Sequence, residues 1–235
     1  MISINHMPNW GFGNRILYYH NLRQLSEKYA EVWSCIPWDG HEHFVGDMLG
    51  ERSHGGMDLK PCLGELFFEV HVISTRDIFR LKMPVTVPEK TVAVHFRGTD
   101  FFQWNPDAVL EEEYYLNAIE LLKNEVNHFV IFTDDESLPS YNKVRNYLND
   151  HNISYDRGEN DLDRSMYIDD FNKMCACDYI ISSPSTYCIC AGFIGKEKKI
   201  IHSEKWLKDR LDAEDKFWFD LNGGGNKDYS IWRLV

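Results

Sequence analysis

The sequence predicts an α/β protein, with parallel sheets and helices wound against them, in two units of unequal size. Three observations predict it. Short β-rich runs alternate with stretches of helical period, the beat expected of β-α units. Two prolines, Pro84 and Pro88, interrupt that beat just before its clearest stretch. The 235 residues are 43% hydrophobic and 26% charged, which supplies apolar material for a sizeable core and excludes wholesale disorder. The prolines divide the chain into an N-terminal α/β domain over 1–88 and a C-terminal Rossmann-like domain over 89–235.

In the first domain Ile2-Ser3-Ile4 reads as a strand and Gly11-Phe12-Gly13 as a turn. A helix follows from Asn14 to Tyr29, with Leu17, Leu25 and Tyr29 inward. Val32-Trp33-Ser34-Cys35-Ile36 reads as its next strand. Residues 37–65 hold His41, His43, His54 and several glycines, and read as loop-rich. The second domain opens with a strand at Thr91-Val92-Ala93-Val94-His95-Phe96. A helix over 111–124 carries Tyr115, Ala118, Ile119 and Leu122 at helical spacing, its acidic start suiting a helix N-terminus. Phe129-Val130-Ile131-Phe132 is the next strand, and the helix after Pro139 turns Tyr141, Val144 and Leu148 inward. A further helix over 165–177 keeps Tyr167, Phe171 and Met174 in register. The strand Tyr179-Ile180-Ile181, a helix from Thr186 to Ile194 stopped by Gly195, and the strand Ile200-Ile201 complete a doubly wound half.

The chain has 25 basic and 37 acidic residues, a net charge of −12. That balance argues against a general binder of nucleic acid or anionic membrane, since polyphosphate attraction needs a basic field. A local pocket for one small anion stays open. No apolar run approaches the ~20 residues needed to span a bilayer, and the first five residues lack a signal peptide's charged and apolar regions. The expectation is a cytoplasmic protein with no transmembrane segment, with peripheral membrane contact left open. Cys175-x-Cys177 and Cys188-x-Cys190 are not at the usual zinc spacing and sit among apolar residues, which points to buried thiols. Asp161-Leu162-Asp163 is a weak metal candidate, because a pair of carboxylates supplies too few ligands.

In open parallel sheets ligands bind where strands end and helices begin. Four such junctions carry polar residues. His95-Phe96-Arg97-Gly98-Thr99-Asp100 ends the first strand of the second domain, where an arginine's rigid fork suits a phosphate; an Arg97–Asp100 ion pair tying down a loop is the equal alternative. Ser182-Ser183-Pro184-Ser185-Thr186 offers hydroxyls and free amides at a helix start, for an anion or simply as an N-cap. Thr133-Asp134-Asp135 could accept hydrogen bonds from a ribose or base edge, or cap the Pro139 helix. Gly11-Phe12-Gly13-Asn14-Arg15 is no dinucleotide fingerprint; it permits a tight turn with the Asn14 amide facing a cleft, or with Asn14 as N-cap.

Taken in order, these junctions resemble the GDP-fucose-dependent fucosyltransferases of GT-B architecture, closest to the bacterial α-1,2 type of family 11. Gly11-Phe12-Gly13-Asn14-Arg15 resembles the family's Gly-x-Gly-Asn-Gln turn, and His95-Phe96-Arg97-Gly98-Thr99-Asp100-Phe101 its His-x-Arg-Arg-Gly-Asp-Tyr motif. Glu113-Tyr114-Tyr115 is similar to the Tyr-Tyr helix and Phe132-Thr133-Asp134-Asp135 to Phe-Ser-Asp-Asp. Ile180-Ile181-Ser182-Ser183-Pro184-Ser185-Thr186-Tyr187 resembles Ile-Ile-x-Asn-Ser-Thr-Phe, and Lys205-Trp206 has its counterpart too. The likeness is strong over 91–207, modest over 8–29 and absent over about 37–88. Two departures stand out. Gly98 replaces the motif's second arginine, and Thr99 is shared with α-1,6- and protein O-fucosyltransferases.

The resemblance implies two Rossmann-like domains facing across a cleft, the N-terminal one reduced and serving the acceptor. It implies inverting transfer of L-fucose from GDP-β-L-fucose to a hydroxyl of an oligosaccharide or glycan acceptor, without metal or cofactor. Arg97 would bind the β-phosphate, helped by Ser183, Ser185 and Thr186, while His95 would hold a phosphate or the neighbouring loop. Asp134 or Asp135 would take the nucleoside, with Gly13 lining the donor side. Asn14 would position the acceptor or the fucose. Asp100, Asp107 and His20 are candidates for a general base, none singled out. Transfer from another GDP-sugar, or a non-catalytic nucleotide- or glycan-binding module, is the alternative.

Overall fold

A computed structural model describes residues 1–51, 57–59, 75–104, 106, 109–159, 167–195, 199–203 and 230–234. They fall into two compact units that divide in sequence between Pro84 and Val85. The described sheets are parallel throughout, and the described chain is α/β, of Rossmann-like character in its larger unit.

The N-terminal unit contains β1 (Ile2–Ile4), α1 (Phe12–Tyr29), β2 (Trp33–Cys35), α2 (Gly40–His43), β3 (Met57–Asp58) and α3 (Thr75–Ile78). Its sheet runs β2-β1-β3, with α1 as the crossover from β1 to β2. The first three turns of α1 are buried on most sides, from Phe12 through Leu22 and on to Ser26. Tyr19 is the centre of an aromatic cluster, 5.3 Å from Trp38 and 5.8 Å from both Trp33 and Phe79. Tyr29, expected inward, is 58% exposed, because the whole last turn of α1 lies at the surface. The helix ends when Ala30 enters the left-handed region (φ 49°) and sends its N–H back to the carbonyls of Ser26 and Glu27.

The C-terminal unit contains β4 (Thr91–Phe96), α4 (Phe101–Trp104), α5 (Glu112–Leu122), β5 (His128–Thr133), α6 (Pro139–Asp150) and β6 (Tyr155–Arg157). It continues with α7 (Tyr167–Ala176), β7 (Tyr179–Ile181), α8 (Thr186–Ile194), β8 (Lys199–Ser203) and β9 (Ser230–Leu234). Its sheet order is β6-β5-β4-β7-β8-β9. Every residue of β4 is buried, as expected of a strand covered on both faces. Val92, Val94 and Phe96 point to one face, where Tyr115, Ala118, Ile119 and Leu122 of α5 and Tyr141, Val144 and Leu148 of α6 complete the core. His95 lies on the other face, its ring 5.9 Å from that of Tyr187 on α8.

The order of strands positions the site. The chain lays β5 and β6 on one side of β4, then returns to place β7 and β8 on the other. The reversal falls between β4 and β7, the kind of point at which open α/β sheets bind ligands beyond the carboxyl ends of their strands. Three elements of this unit escape sequence reasoning: α4 is a single short turn of helix, and β6 and β9 are edges. In β6, Asp156 and Arg157 are exposed, so the strand carries no apolar signature, and among the described residues β9 pairs with β8 alone. No helix among the described residues is long and apolar enough to cross a membrane.

Candidate ligand site at the strand reversal

Three of the four junctions are joined by hydrogen bonds at the carboxyl edge of the six-stranded sheet. His95, on the penultimate position of β4, shares a 2.6 Å hydrogen bond between its Nδ1 and the Ser183 hydroxyl beyond β7. Burial pushes the His95 pKa down from 6.5 to about 4; the Arg97 cation adds to this, and the Asp134 carboxylate opposes it. The ring is therefore neutral at pH 7. It ties the two sides of the reversal together and brings no charge to a phosphate, which favours the loop-holding half of its expected role.

A folded pKa below the unfolded one means that the unfolded chain binds the extra proton between about pH 6.5 and 4. The neutral ring's contribution is present above that window and is lost as pH falls through it, by about 3 kcal/mol at full effect. His95→Gln should flatten the acid limb of a stability–pH curve accordingly. Equal slopes for variant and wild type would show that the ring is not held neutral.

Arg97 leaves the end of β4 with a side chain only 20% exposed. Its Nη1 donates to Asp134 Oδ2 and its Nη2 to Asp100 Oδ1, both at 2.6 Å. The guanidinium also lies 5.3 Å from the Phe101 ring centroid. The Arg97–Asp100 pair foreseen as the alternative is thus present, and a second carboxylate joins it. Asp134 is the hub of this loop. Besides Arg97 it accepts the Gly98 N–H at 2.9 Å and the Thr99 hydroxyl at 2.6 Å, and Thr99 sits at φ +27°. Holding a threonine in that sparsely populated region needs such an anchor. Gly98 is buried because Leu138 stands over it: a Cβ there would come within 2.7 Å of the leucine methyl. Close approach is required, but by Leu138, with Asp134 taking the amide.

Neither aspartate caps α6. The N-cap is Leu138, with Pro139 at the first helical turn and no side-chain cap bond. Asp135 folds onto its own turn instead, its Oδ1 accepting the Ser137 N–H at 2.8 Å and the Ser137 hydroxyl at 2.6 Å. Asp134's carboxylate is directed at the loop after β4, not at α6.

On the far side of the reversal, Ser185 occupies the N-cap position of α8 but makes no side-chain cap bond, and Thr186 begins the helix. Ser182 and Ser183 are fully buried. The Ser182 hydroxyl meets His202 Nδ1 at 3.1 Å, and the Tyr114 hydroxyl donates to the carbonyls of Ser182 (2.8 Å) and Ile201 (3.0 Å). His202 was not foreseen because the strand at 200–201 was drawn too short; its continuation through Ser203 was the available signal.

The remaining expected residues belong to other elements. Asn14 is the third residue of α1, since the helix starts at Phe12 with Gly11 as N-cap; it is not itself the cap. Gly13 is buried inside the same first turn, and Arg15 pairs with Asp39. His20 is a core histidine, 4% exposed, beside Gln24 and Thr75 and stacked on Phe79, which argues against a base acting on substrate. Cys35, Cys175, Cys177, Cys188 and Cys190 are buried thiols, and burial pushes Cys35 up to about 12. Asp107, Asp161, Asp163, Lys205, Trp206, His54 and Cys62 lie outside the described residues. Among the described residues no group of three or more His, Cys, Asp or Glu side chains is arranged to hold a metal ion. Compared with known proteins, the chain matches no family model and no curated sequence.

Proposed function

We propose that this chain is an inverting glycosyltransferase that moves L-fucose from GDP-β-L-fucose to a glycan hydroxyl, of the α-1,2 type and with GT-B architecture. The observation that carries it is the strand reversal between β4 and β7, which joins two of the fucosyltransferase-like motifs at the carboxyl edge of the sheet. In this reading the C-terminal unit takes GDP and the N-terminal unit, with Asn14, serves the acceptor. Breaking the donor bond develops positive charge on the sugar ring and negative charge on the departing diphosphate. Arg97 is aimed by Asp134 through Nη1 and presents its five-donor fork to the β-phosphate. α8 begins at the same end of the sheet, directly after the Ser182–Ser185 turn, and puts the positive end of its helix dipole there. Donors of this kind, set before reaction, are worth ~3–4 kcal/mol apiece against developing charge. They do the work a divalent cation would otherwise do.

One observation favours the second reading, a non-catalytic nucleotide- or glycan-binding module. Gly98 stands where the family motif has a second arginine, and the one cation is shared by two carboxylates. Calorimetric titration with GDP, GDP-fucose and UDP separates the readings. GDP and GDP-fucose should bind and UDP should not, and GDP release from GDP-fucose in the presence of a galactose-ended acceptor should be insensitive to EDTA. Absence of GDP binding removes the transferase; glycan binding alone selects the module; strict metal dependence contradicts the cation argument.

A further inference from the structure

The two carboxylates on Arg97 are held very differently. Asp134 is 22% exposed and receives three hydrogen bonds, from Arg97, the Gly98 amide and the Thr99 hydroxyl. It follows directly on β5, so its backbone is part of the sheet edge. Asp100 is 60% exposed; it receives one 2.6 Å bond from Arg97 and stands 3.2 Å from a Thr99 hydroxyl already committed, at 2.6 Å, to Asp134. Surface ion pairs of this kind are weak and exchange readily, whereas a multiply bonded, half-buried carboxylate does not let go.

We propose that Asp100 occupies, in the ligand-free chain, the seat on Arg97 Nη2 that a substrate phosphate takes, while Asp134 remains as the fixed partner that aims the guanidinium. The inference rests on the diphosphate reading of this site and adds its regulation: binding is an exchange of one anion for another. A phosphate oxygen replaces the carboxylate oxygen on Nη2, and Asp100 turns into solvent. No covalent bond changes. The exchange keeps Arg97 from being a standing target for any small anion, since a ligand must out-compete a tethered carboxylate, and a diphosphate carries more charge than a carboxylate does. Arg97 stays neutralised and ordered between turnovers.

The test is calorimetric titration of the full chain with GDP and, separately, with inorganic pyrophosphate, for wild type, Asp100→Asn and Asp100→Ala. Both variants should bind both probes about two- to fivefold more tightly, the range set by the small worth of an exposed ion pair. Their melting temperatures should stay within a few degrees of wild type. Unchanged or weaker binding in the variants, when the wild type binds GDP, overturns the exchange and leaves the diphosphate reading standing. Tightening in the asparagine variant alone also overturns it, since the amide would then be making a new contact. Failure of all three proteins to bind either probe removes the diphosphate reading and the exchange together.

Discussion

Arg97→Lys is expected to lower the proposed fucosyl transfer by about 100- to 1,000-fold while the protein stays folded. Lysine keeps the charge but presents a compact ammonium on a flexible stem, without the planar fork that lets one side chain serve several acceptors at fixed angles. In this protein one arm of the fork is held by Asp134 and the other by the looser Asp100, both at 2.6 Å, and a diphosphate is gripped by the arm that Asp100 yields. An ammonium held by Asp134 has no second, rigidly placed donor for the leaving group, and one lost donor to developing charge costs ~3–4 kcal/mol. Alanine would be a less clean test. It would strip a half-buried carboxylate of its cation and leave Asp134 with only the Gly98 and Thr99 contacts, mixing stability loss with activity loss. Turnover of GDP-fucose by the lysine variant, measured beside its thermal melt, decides the matter. Activity within threefold of wild type would remove Arg97 from its assigned role.

Gly195→Ala is expected to destabilise the C-terminal unit by about 3 kcal/mol, toward the upper end for overpacking. The glycine that stops α8 lies directly against the backbone of α7. A methyl there would sit 2.0 Å from the Cys175 carbonyl oxygen and 2.7 Å from its carbon. Those are main-chain atoms of a helix end, and no side-chain rotation relieves the overlap. Either α7 or α8 must shift, and α8 carries the turn with Ser183 and Ser185 at its other end. The control is Gly11→Ala at the start of α1, where a Cβ meets nothing within 4 Å, and the cost should stay below about 1 kcal/mol. Denaturant midpoints for the two variants measure the contrast. A Gly195→Ala protein as stable as Gly11→Ala would mean that the two helices are not in backbone contact.

Most helices and strands of the larger unit were legible because they write a strong local period, which α4, β6 and β9 do not. Tyr115, Ala118, Ile119 and Leu122 repeat at the helical spacing and are all buried. The helix read from Thr186 to Ile194 has those bounds in the structure. Tyr29 misled because its spacing continues the inward stripe of α1, whereas its exposure depends on where the neighbouring elements stop. At the site, the residue types at each strand end were visible, but their partners were not. Asp134 looked like a free acceptor or a helix cap, and its three hydrogen bonds come from residues 35–37 positions earlier in the chain. Leu138 over Gly98 is a contact of the same kind.

What the amino-acid order settled alone was the alternation of strand and helix, the residues that turn to the interior, and the polar groups waiting at the end of each strand. Those follow from local geometry, because a side chain's face is set by the repeat of its own element. Strand order, the neutral state of His95 and the sharing of Arg97 between a tight and a loose carboxylate were decided by tertiary structure. They depend on which distant strand ends are brought side by side, and on how much water that assembly leaves around a charge.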